Sequence, residues 1–194
     1  MGVVTDTDNK RDLRRRMRAK RIRLAHEIPD AAERAVEHLP DNRLPAFASF
    51  AGYYALGAEL NPSPLIRHLA GMGAFFALPV CEGPDRPLLF RMWESRDRLI
   101  PDALGVPAPP PWSQMMHPDL VIAPLLAFDR KGGRLGQGGG HYDRTLQGLR
   151  SNKKVFVLGL AYAGQELPEV PSEPHDQRLD AILTETGYIE VEKT

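Results

Sequence analysis

The segment from Gly132 to Gly140 holds the residue types best suited to binding a chain of phosphates. Six of its nine residues are glycine, at positions 132, 133, 136, 138, 139 and 140. Glycine lets backbone N–H groups approach a ligand with no Cβ in between, and it allows positive φ. The helix-like stretch behind the segment would add unpaired N–H groups and the positive end of its dipole. Arg134 and Asp143 add charge nearby. The combination predicts a nucleotide site.

The glycine segment fits neither of the two common nucleotide-binding motifs. A Walker A loop needs lysine and then serine or threonine after its last glycine, whereas Gly133-x4-Gly138 is followed by two more glycines. A dinucleotide-binding fingerprint that begins at Gly136 meets His141 where glycine or alanine belongs. Glycine content alone also suits a surface loop that binds nothing. The segment by itself therefore leaves both interpretations open.

A basic stretch near the N-terminus is the second candidate for contact with an anion. Nine Lys or Arg residues occur among residues 10–23, in a helix predicted for Lys10–His26 that Asp8 or Asn9 could cap. Apolar residues at positions 13, 17 and 24 lie near one face of this helix. Composition favours a solvated basic face. Nucleic-acid binding, or contact of a few cations with a phosphate, are the alternatives.

The length, net charge and cysteine count of the chain argue against several classes of function. The 194 residues suit a single domain, 1–194, with residues 1–9 as a flexible tail. The formal net charge of zero argues against attraction of the whole molecule to nucleic acid or to an anionic membrane. Cys81 is the only cysteine, which excludes an intrachain disulfide framework and a cysteine-based zinc site. With no signal peptide and no stretch of membrane-spanning length, we expect a cytoplasmic protein.

Strands and helices are predicted to alternate. The predicted strands are Phe47–Tyr54, Phe75–Val80, Leu88–Trp93, Asp119–Ala127, Lys154–Ala161 and Leu179–Thr184, and the further helices are Asp30–Leu39, Pro62–Leu69 and Tyr142–Leu149. Six prolines between residues 101 and 118 predict an extended loop. Several strands are apolar along their whole length, which is typical of a three-layer α/β/α domain with a mainly parallel sheet. Ligands of such sheets lie beyond the carboxyl ends of strands, where residues 128–141 fall.

Four motifs, taken together, resemble a known family. The longest is PLLAFDRKGGRLGQGGGHYDR, from Pro124 to Arg144. The other three are Lys10-x-x-Leu13-Arg14, Tyr53-Tyr54 followed by Glu59, and the stretch from Leu158 through His175-Asp176 to Glu185. In type, order and spacing they resemble the 5-formyltetrahydrofolate cyclo-ligases, also called 5,10-methenyltetrahydrofolate synthetases. The resemblance spans roughly residues 10–188.

The resemblance implies an ATP- and Mg²⁺-dependent ligase of one-carbon metabolism. It would close 5-formyltetrahydrofolate to 5,10-methenyltetrahydrofolate and release ADP and phosphate. Its partners would be a reduced folate and ATP, with no nucleic acid and no membrane. Transfer of the γ-phosphoryl group would make the formyl oxygen a good leaving group, which a neighbouring folate nitrogen then displaces. Such an enzyme mainly aligns its substrates and neutralises phosphoryl charge.

The resemblance also implies roles for individual residues. Catalysis would depend on Lys10, Arg14 and Arg134. ATP would be bound by Lys10, Arg14, Gly133, Arg134, Leu135, Gly136, Gln137, Gly138, Gly139, Gly140 and Tyr142. The folate would be bound by Tyr54, Glu59, Gly138, Gly139, Gly140 and His141. Asp143 and Asp176 would hold Mg²⁺, a hard cation that prefers oxygen ligands. Asp129 would be an outer-shell group or a turn residue. The other cations of the first helix are expected to be mostly solvated: Arg11, Arg15, Arg16, Arg18, Lys20, Arg21 and Arg23.

Three positions depart from the family's pattern. Asn61 stands where an aspartate is frequent, a change at a cap position that is expected to have little consequence. His141 stands where the family commonly has tyrosine, and Ala108 stands where it has glutamate. These last two departures permit a second hypothesis, a binding protein that keeps the pocket without turnover.

Overall fold

The computed structural model describes residues 6–192, and their side chains from residue 10 onward. The helices are α1 (Asp6–Glu27), α2 (Ala31–Glu37), α3 (Ser63–Gly71) and α4 (His141–Asn152). The strands are β1 (Ser49–Ala51), β2 (Phe75–Val80), β3 (Leu89–Met92), β4 (Ile100–Pro101), β5 (Pro107–Ala108), β6 (Met115–Met116), β7 (Leu120–Ala123), β8 (Ala127–Phe128), β9 (Arg134–Leu135), β10 (Phe156–Leu160), β11 (Ala181–Thr184) and β12 (Gly187–Glu190). Short 3-10 helices occupy Asp41–Arg43 and Ala163–Gln165.

Eight strands form the central sheet, in the order β12-β11-β10-β7-β1-β2-β3-β6. The five inner strands from β11 to β2 run parallel to one another. On one side of these parallel strands, β12 pairs antiparallel with β11. On the other side, β3 pairs antiparallel with β2, and β6 pairs antiparallel with β3. Two small hairpins, β4-β5 and β8-β9, lie outside this sheet. The prediction of an α/β fold with a mainly parallel sheet is confirmed.

Strand β7 shows why helices must cover both faces of the sheet. All four of its residues are buried. Leu120 and Ile122 belong to the core that contains buried residues of α2 and α3. Val121 and Ala123 point to the other face, where they share a core with Leu146 of α4. Because successive side chains of a strand alternate between faces, this apolar strand requires a helix layer on each side.

Asp119 joins the starts of β1 and β7. Its Oδ2 accepts hydrogen bonds from the N–H groups of Ala48 and Ser49, and its Oδ1 accepts one from Lys153 Nζ. Burial raises the pKa of Asp119, but the bonds from Lys153 and Ser49 outweigh it and hold the pKa below its ordinary value of 3.8. The carboxylate thus helps to fix the register of two central strands.

Helix α1 differs from its prediction at the N-terminus. It begins at Asp6. Asp8 and Asn9 therefore lie inside the helix and do not cap it, and residues 6–9 of the predicted tail are helical. Residues 1–5 lie outside the described residues. Leu13 and Met17 pack in a third core, made with residues of the β8-β9 hairpin.

Several other boundaries also differ from the predictions. Strand β1 is limited to three residues of the predicted Phe47–Tyr54. The predicted strand Asp119–Ala127 splits into β7 and β8, because Pro124 cannot donate to the sheet. The proline-rich loop contains β4's last residue, β5 and β6. Strand β12 was not predicted. No helix among residues 6–192 is long and apolar enough to cross a membrane.

Candidate functional site

A cleft with a volume of about 490 Å³ lies beyond the carboxyl ends of the parallel strands. Tyr53, Cys81 and Pro124 line it, and they follow β1, β2 and β7 in the chain. Further walls come from α1, the glycine segment, the start of α4, residues 171–176, the turn that contains Glu59 and the loop at residues 102–106. Parallel strands present their carboxyl ends at the same edge, which is where α/β sheets bind ligands.

Helix α1 brings two cations into this cleft. Lys10 Nζ donates to Glu173 Oε1 at 2.8 Å and to Asp176 Oδ2 at 3.1 Å. Burial lowers the pKa of Lys10, but these two partners outweigh that effect and raise the pKa, so the amine is charged at neutral pH. Arg14 Nε donates to the carbonyl oxygen of Gly136 at 3.1 Å. Arg14 therefore contacts the glycine segment, and Lys10 contacts residues 173 and 176, each from more than a hundred residues upstream.

Arg134 and Asp143 form a second charged group in the cleft. Arg134 Nη2 lies 2.7 Å from Asp143 Oδ1, and the arginine side chain is only 4% exposed. The guanidinium carbon lies 5.6 Å from the centroid of the Tyr142 ring, which holds it by a cation–π contact. Asp143 also accepts a hydrogen bond from the N–H of Gln177 at 3.1 Å. Because Gln177 directly follows Asp176 in the chain, this bond places Asp143 next to the segment that carries Asp176.

The glycine segment lines the cleft from position 134 to position 140. Gly138 and Gly140 have φ of 110° and 65°, in the region that disfavours other residues. Gly140 is the residue that precedes α4, so the turn delivers the chain directly to the helix N-terminus. Gly133, which the sequence assigned to ATP, does not line the cleft. Its N–H donates to Asp129 Oδ1 at 2.9 Å, and a Cβ there would lie 2.4 Å from Asp129 Oδ2.

Asp129 is a turn residue. It is buried, and its carboxylate accepts hydrogen bonds from the N–H groups of Lys131, Gly133 and Val170. These bonds close the β8-β9 turn and attach it to residue 170. Gly133 therefore shapes the base of the segment, and the positions that line the cleft begin one residue later, at Arg134.

Glu59 lies in the turn between β1 and α3, at the other end of the cleft. Its Oε1 accepts from Arg21 Nη1 at 3.3 Å and its Oε2 from the N–H of Leu56 at 3.1 Å. Burial, and secondarily the charge of Glu59, raise the pKa of Tyr53 and of Tyr142 well above the ordinary value of 10.0. Both phenols thus stay protonated beside this carboxylate. Tyr54 lines the same end and is partly exposed.

His141 and Ala108, two of the departures from the family's pattern, occupy different environments. His141 lines the cleft, and its Nδ1 lies 2.8 Å from the carbonyl oxygen of Arg86 and 4.0 Å from Cys81 Sγ. Ala108 is buried in β5 and does not line the cleft. Ala108 therefore contributes nothing to the wall of the cleft, whereas His141 forms part of it.

Asp143 and Asp176 fit a magnesium ion that arrives together with phosphates. Both carboxylates line the cleft. Residues 10–192 contain no group of three or more His, Cys, Asp or Glu side chains that could hold a metal by themselves. Magnesium is commonly bound by one or two carboxylates, water and substrate phosphates, so two carboxylates suffice for such a site.

Sequence reasoning missed two charged contacts, one in the cleft and one behind its wall. Glu173 holds Lys10, and Arg21, which was expected to be solvated, is buried against Glu59. The prediction for Arg21 was wrong. Its position carried a usable signal, because residues 10, 14, 17, 21 and 24 recur at the spacing of one helix face. For Glu173 the sequence offered no signal, since a loop residue's partner depends on tertiary contact.

The profile of the 5-formyltetrahydrofolate cyclo-ligase family matches residues 6–185 of the chain. The chain belongs to this family. The resemblance drawn from the four motifs is thereby confirmed, as is the expectation of a ligase.

Relatives of known name extend this match. The 5-formyltetrahydrofolate cyclo-ligase of Haemophilus influenzae is 34% identical over 150 residues, covering 70% of this chain and 74% of the relative. That of Escherichia coli K12 is 34% identical over 142 residues, covering 69% and 76%. The 5,10-methenyltetrahydrofolate synthetase of Aquifex aeolicus has a similar structure, with a TM-score of 0.76 and 26% identity, covering 95% of this chain and 94% of that one.

Proposed function

We propose that this cyclo-ligase family member closes 5-formyltetrahydrofolate to 5,10-methenyltetrahydrofolate at the expense of ATP, with Mg²⁺, and releases ADP and phosphate. One observation carries the proposal. A single cleft joins a glycine segment, the α1 cations Lys10 and Arg14, and, at its far end, the carboxylate Glu59. A polyphosphate and a molecule with amide-like donors can therefore lie side by side in it.

The phosphates of ATP are proposed to lie along residues 135–140. Backbone N–H groups there and the N-terminus of α4 favour negative charge. Lys10, Arg14 and Arg134 supply the cations that a Walker A loop would obtain from its own lysine. Because Lys10 and Arg134 are already held beside acidic partners in the cleft, they need little rearrangement to meet a phosphate.

Asp143 and Asp176 are the proposed magnesium ligands. A magnesium ion bound there would neutralise phosphate charge and favour phosphoryl transfer. The chain's own part is to hold the two carboxylates. Asp143 is fixed by Arg134 and by the N–H of Gln177. Asp176 is fixed by Lys10 and by the N–H of Glu173.

The folate is proposed to bind at the Glu59 end. A carboxylate has about four acceptor positions, and Glu59 uses two of them within the chain, so it can also accept from the amino edge of a pterin. Tyr54 and His141 also line the cleft and offer flat faces for the pterin ring, and residues 138–140 line it as well. The cleft would exclude water and align the formyl oxygen with the γ-phosphorus, which is the main demand of the reaction.

The deciding experiment mixes the protein with 5-formyltetrahydrofolate, ATP and Mg²⁺ and follows the absorbance of the methenyl product together with ADP. We expect both to grow in equal amounts, and omission of ATP or of Mg²⁺ to stop them. Folded protein that produces neither would contradict the proposal. Folate binding without product would instead support the binding-protein hypothesis.

A further inference from the structure

Arg21 of α1 lies directly behind the wall of the cleft at the folate end. Its side chain is 9% exposed and does not line the cleft. Its Nη1 donates to Glu59 Oε1 and to the carbonyl oxygen of Leu125, both at 3.3 Å. Glu59 and Leu125 do line the cleft. One guanidinium thus contacts two separate parts of the same wall.

A contribution to stability alone explains Arg21 poorly. Its neighbours on the same helix face, Met17 and Leu24, are buried and apolar. Its Nε is also buried, and no group in the described part of the chain accepts a hydrogen bond from it. Buried cations carry a large desolvation penalty, and well-packed apolar residues in their place often stabilise a protein equally or better. An apolar residue at position 21 would continue the buried apolar face of α1 without this desolvation penalty.

The contacts of Glu59 show what the cation accomplishes. The Glu59 side chain is 10% exposed, and within residues 10–192 its one ion pair is with Arg21. The N–H of Leu56 holds one carboxylate oxygen and Arg21 holds the other. The two contacts come from different elements, a turn and a helix, so together they fix both the position and the rotation of the carboxylate.

We infer that Arg21 is a positioning residue for folate binding: it holds the Glu59 carboxylate oriented towards the amino edge of the pterin. The inference rests on the proposed function. Arg21 itself touches no substrate. Its loss should therefore weaken folate binding specifically and leave the ATP end of the cleft unaffected, because the contacts of Lys10 and Arg14 do not involve it.

The test compares Arg21→Met and Arg21→Lys with wild type and with Arg15→Met, a control on the same helix whose arginine is 79% exposed. Calorimetry gives the Kd of 5-formyltetrahydrofolate without ATP, and kinetics give the two KM values and kcat. We expect Arg21→Met to raise the folate Kd and KM by about 10- to 100-fold, the usual effect of losing a hydrogen bond to a charged group. The KM for ATP should change by less than about twofold. Arg21→Lys should recover part of the loss, and Arg15→Met should match wild type.

Glu59→Gln provides the second half of the test. If Arg21 acts through Glu59, Arg21→Met should add little to the loss that Glu59→Gln already causes, so the two effects should not multiply. Wild-type folate affinity in folded Arg21→Met would overturn the inference. So would a lower melting temperature and kcat with both KM values unchanged, the signature of a purely structural role. If Arg21→Met does not fold, Arg21→Lys decides by the same two KM values. Failure of the wild type to bind or convert 5-formyltetrahydrofolate would instead refute the proposed function.

Discussion

Substitutions of Asp143 distinguish a role in the active site from a role in stability. Its carboxylate pairs with Arg134 at 2.7 Å and accepts the N–H of Gln177 at 3.1 Å, with 18% of its side chain exposed. We propose that the same group is a magnesium ligand. Asp143→Asn keeps the shape and one acceptor oxygen but removes the charge, whereas Asp143→Ala removes both.

The two substitutions should differ in stability. Alanine leaves a buried guanidinium without its partner, an arrangement that costs about 3 kcal/mol at the lower end of the range for buried ion pairs. Asparagine can still accept from Arg134 or from Gln177, so its cost is the difference between a charged and a neutral hydrogen bond, about 1 kcal/mol. Urea unfolding followed by circular dichroism measures both values in the absence of ligand.

Their effects on activity should instead be alike. An amide oxygen is a poor substitute for a carboxylate at Mg²⁺, so we expect both variants to lose turnover by about a thousandfold or more, as when a phosphoryl-transfer site loses a major charge-stabilising group. The methenyl assay is run over a wide range of Mg²⁺ concentration, with Arg15→Met as the control. If folded Asp143→Asn keeps turnover within about tenfold of wild type at saturating Mg²⁺, Asp143 is not the ligand we propose.

Three further predictions concern other parts of the chain. Arg14→Ala should raise the KM for ATP by about tenfold and leave the folate KM nearly unchanged, because it removes a charged donor at the phosphate end; steady-state kinetics with an unchanged ATP KM would refute this role. Asp119→Asn should lower the free energy of unfolding by about 1–2 kcal/mol at pH 7. The folded pKa of Asp119 lies below 3.8, so this loss of stability should persist from pH 7 down to about pH 3.8 and disappear as the pH falls through the folded pKa. Urea unfolding of both proteins at several pH values measures this dependence, and a loss that does not disappear at low pH would contradict the prediction. Gly132→Ala should destabilise by about 2–4 kcal/mol, since φ is 82° and a Cβ would lie 2.6 Å from the carbonyl oxygen of Leu179. Gly148→Ala, inside α4 where an added methyl group would meet no atom within 4 Å, serves as its control and should be neutral or stabilising.

Local sequence patterns predicted most of the sheet because its inner strands are apolar on both faces. Phe75–Val80 is a strand over the predicted residues, and β10 and β11 lie inside their predicted ranges. Such runs have few alternatives to a covered parallel sheet. Strand β12 was missed because it lies at the edge and carries a mixed, half-exposed sequence, Gly187–Glu190. Its pairing with β11 is decided by the hairpin at Thr184–Gly187, and an edge strand needs no apolar period.

The site was harder to predict, because its residues meet only through tertiary packing. The glycine segment and the residues after β7 follow from local sequence. The partners of Lys10 are 163 and 166 residues away, and no local pattern specifies them. Gly133 is the opposite case: the resemblance assigns this motif position to the ligand, but the structure places it outside the cleft lining, where its N–H and its missing Cβ are both explained by Asp129.

The packing of α1 decides whether the two ends of the cleft work together. Leu13 and Met17 pack on the β8-β9 hairpin, and the cations Lys10 and Arg21 flank them on the same helix. Eleven residues of helix rotate by about three full turns and advance by about 16 Å, so these two cations share one face at opposite ends of the contact. Lys10 lies at the proposed phosphate end and Arg21 behind the proposed folate end. A rigid helix of this length fixes the spacing between the two substrates in a way that a mobile loop could not. The same argument explains why this glycine segment carries no lysine of its own: the helix that supplies the cation also sets the distance to the second substrate.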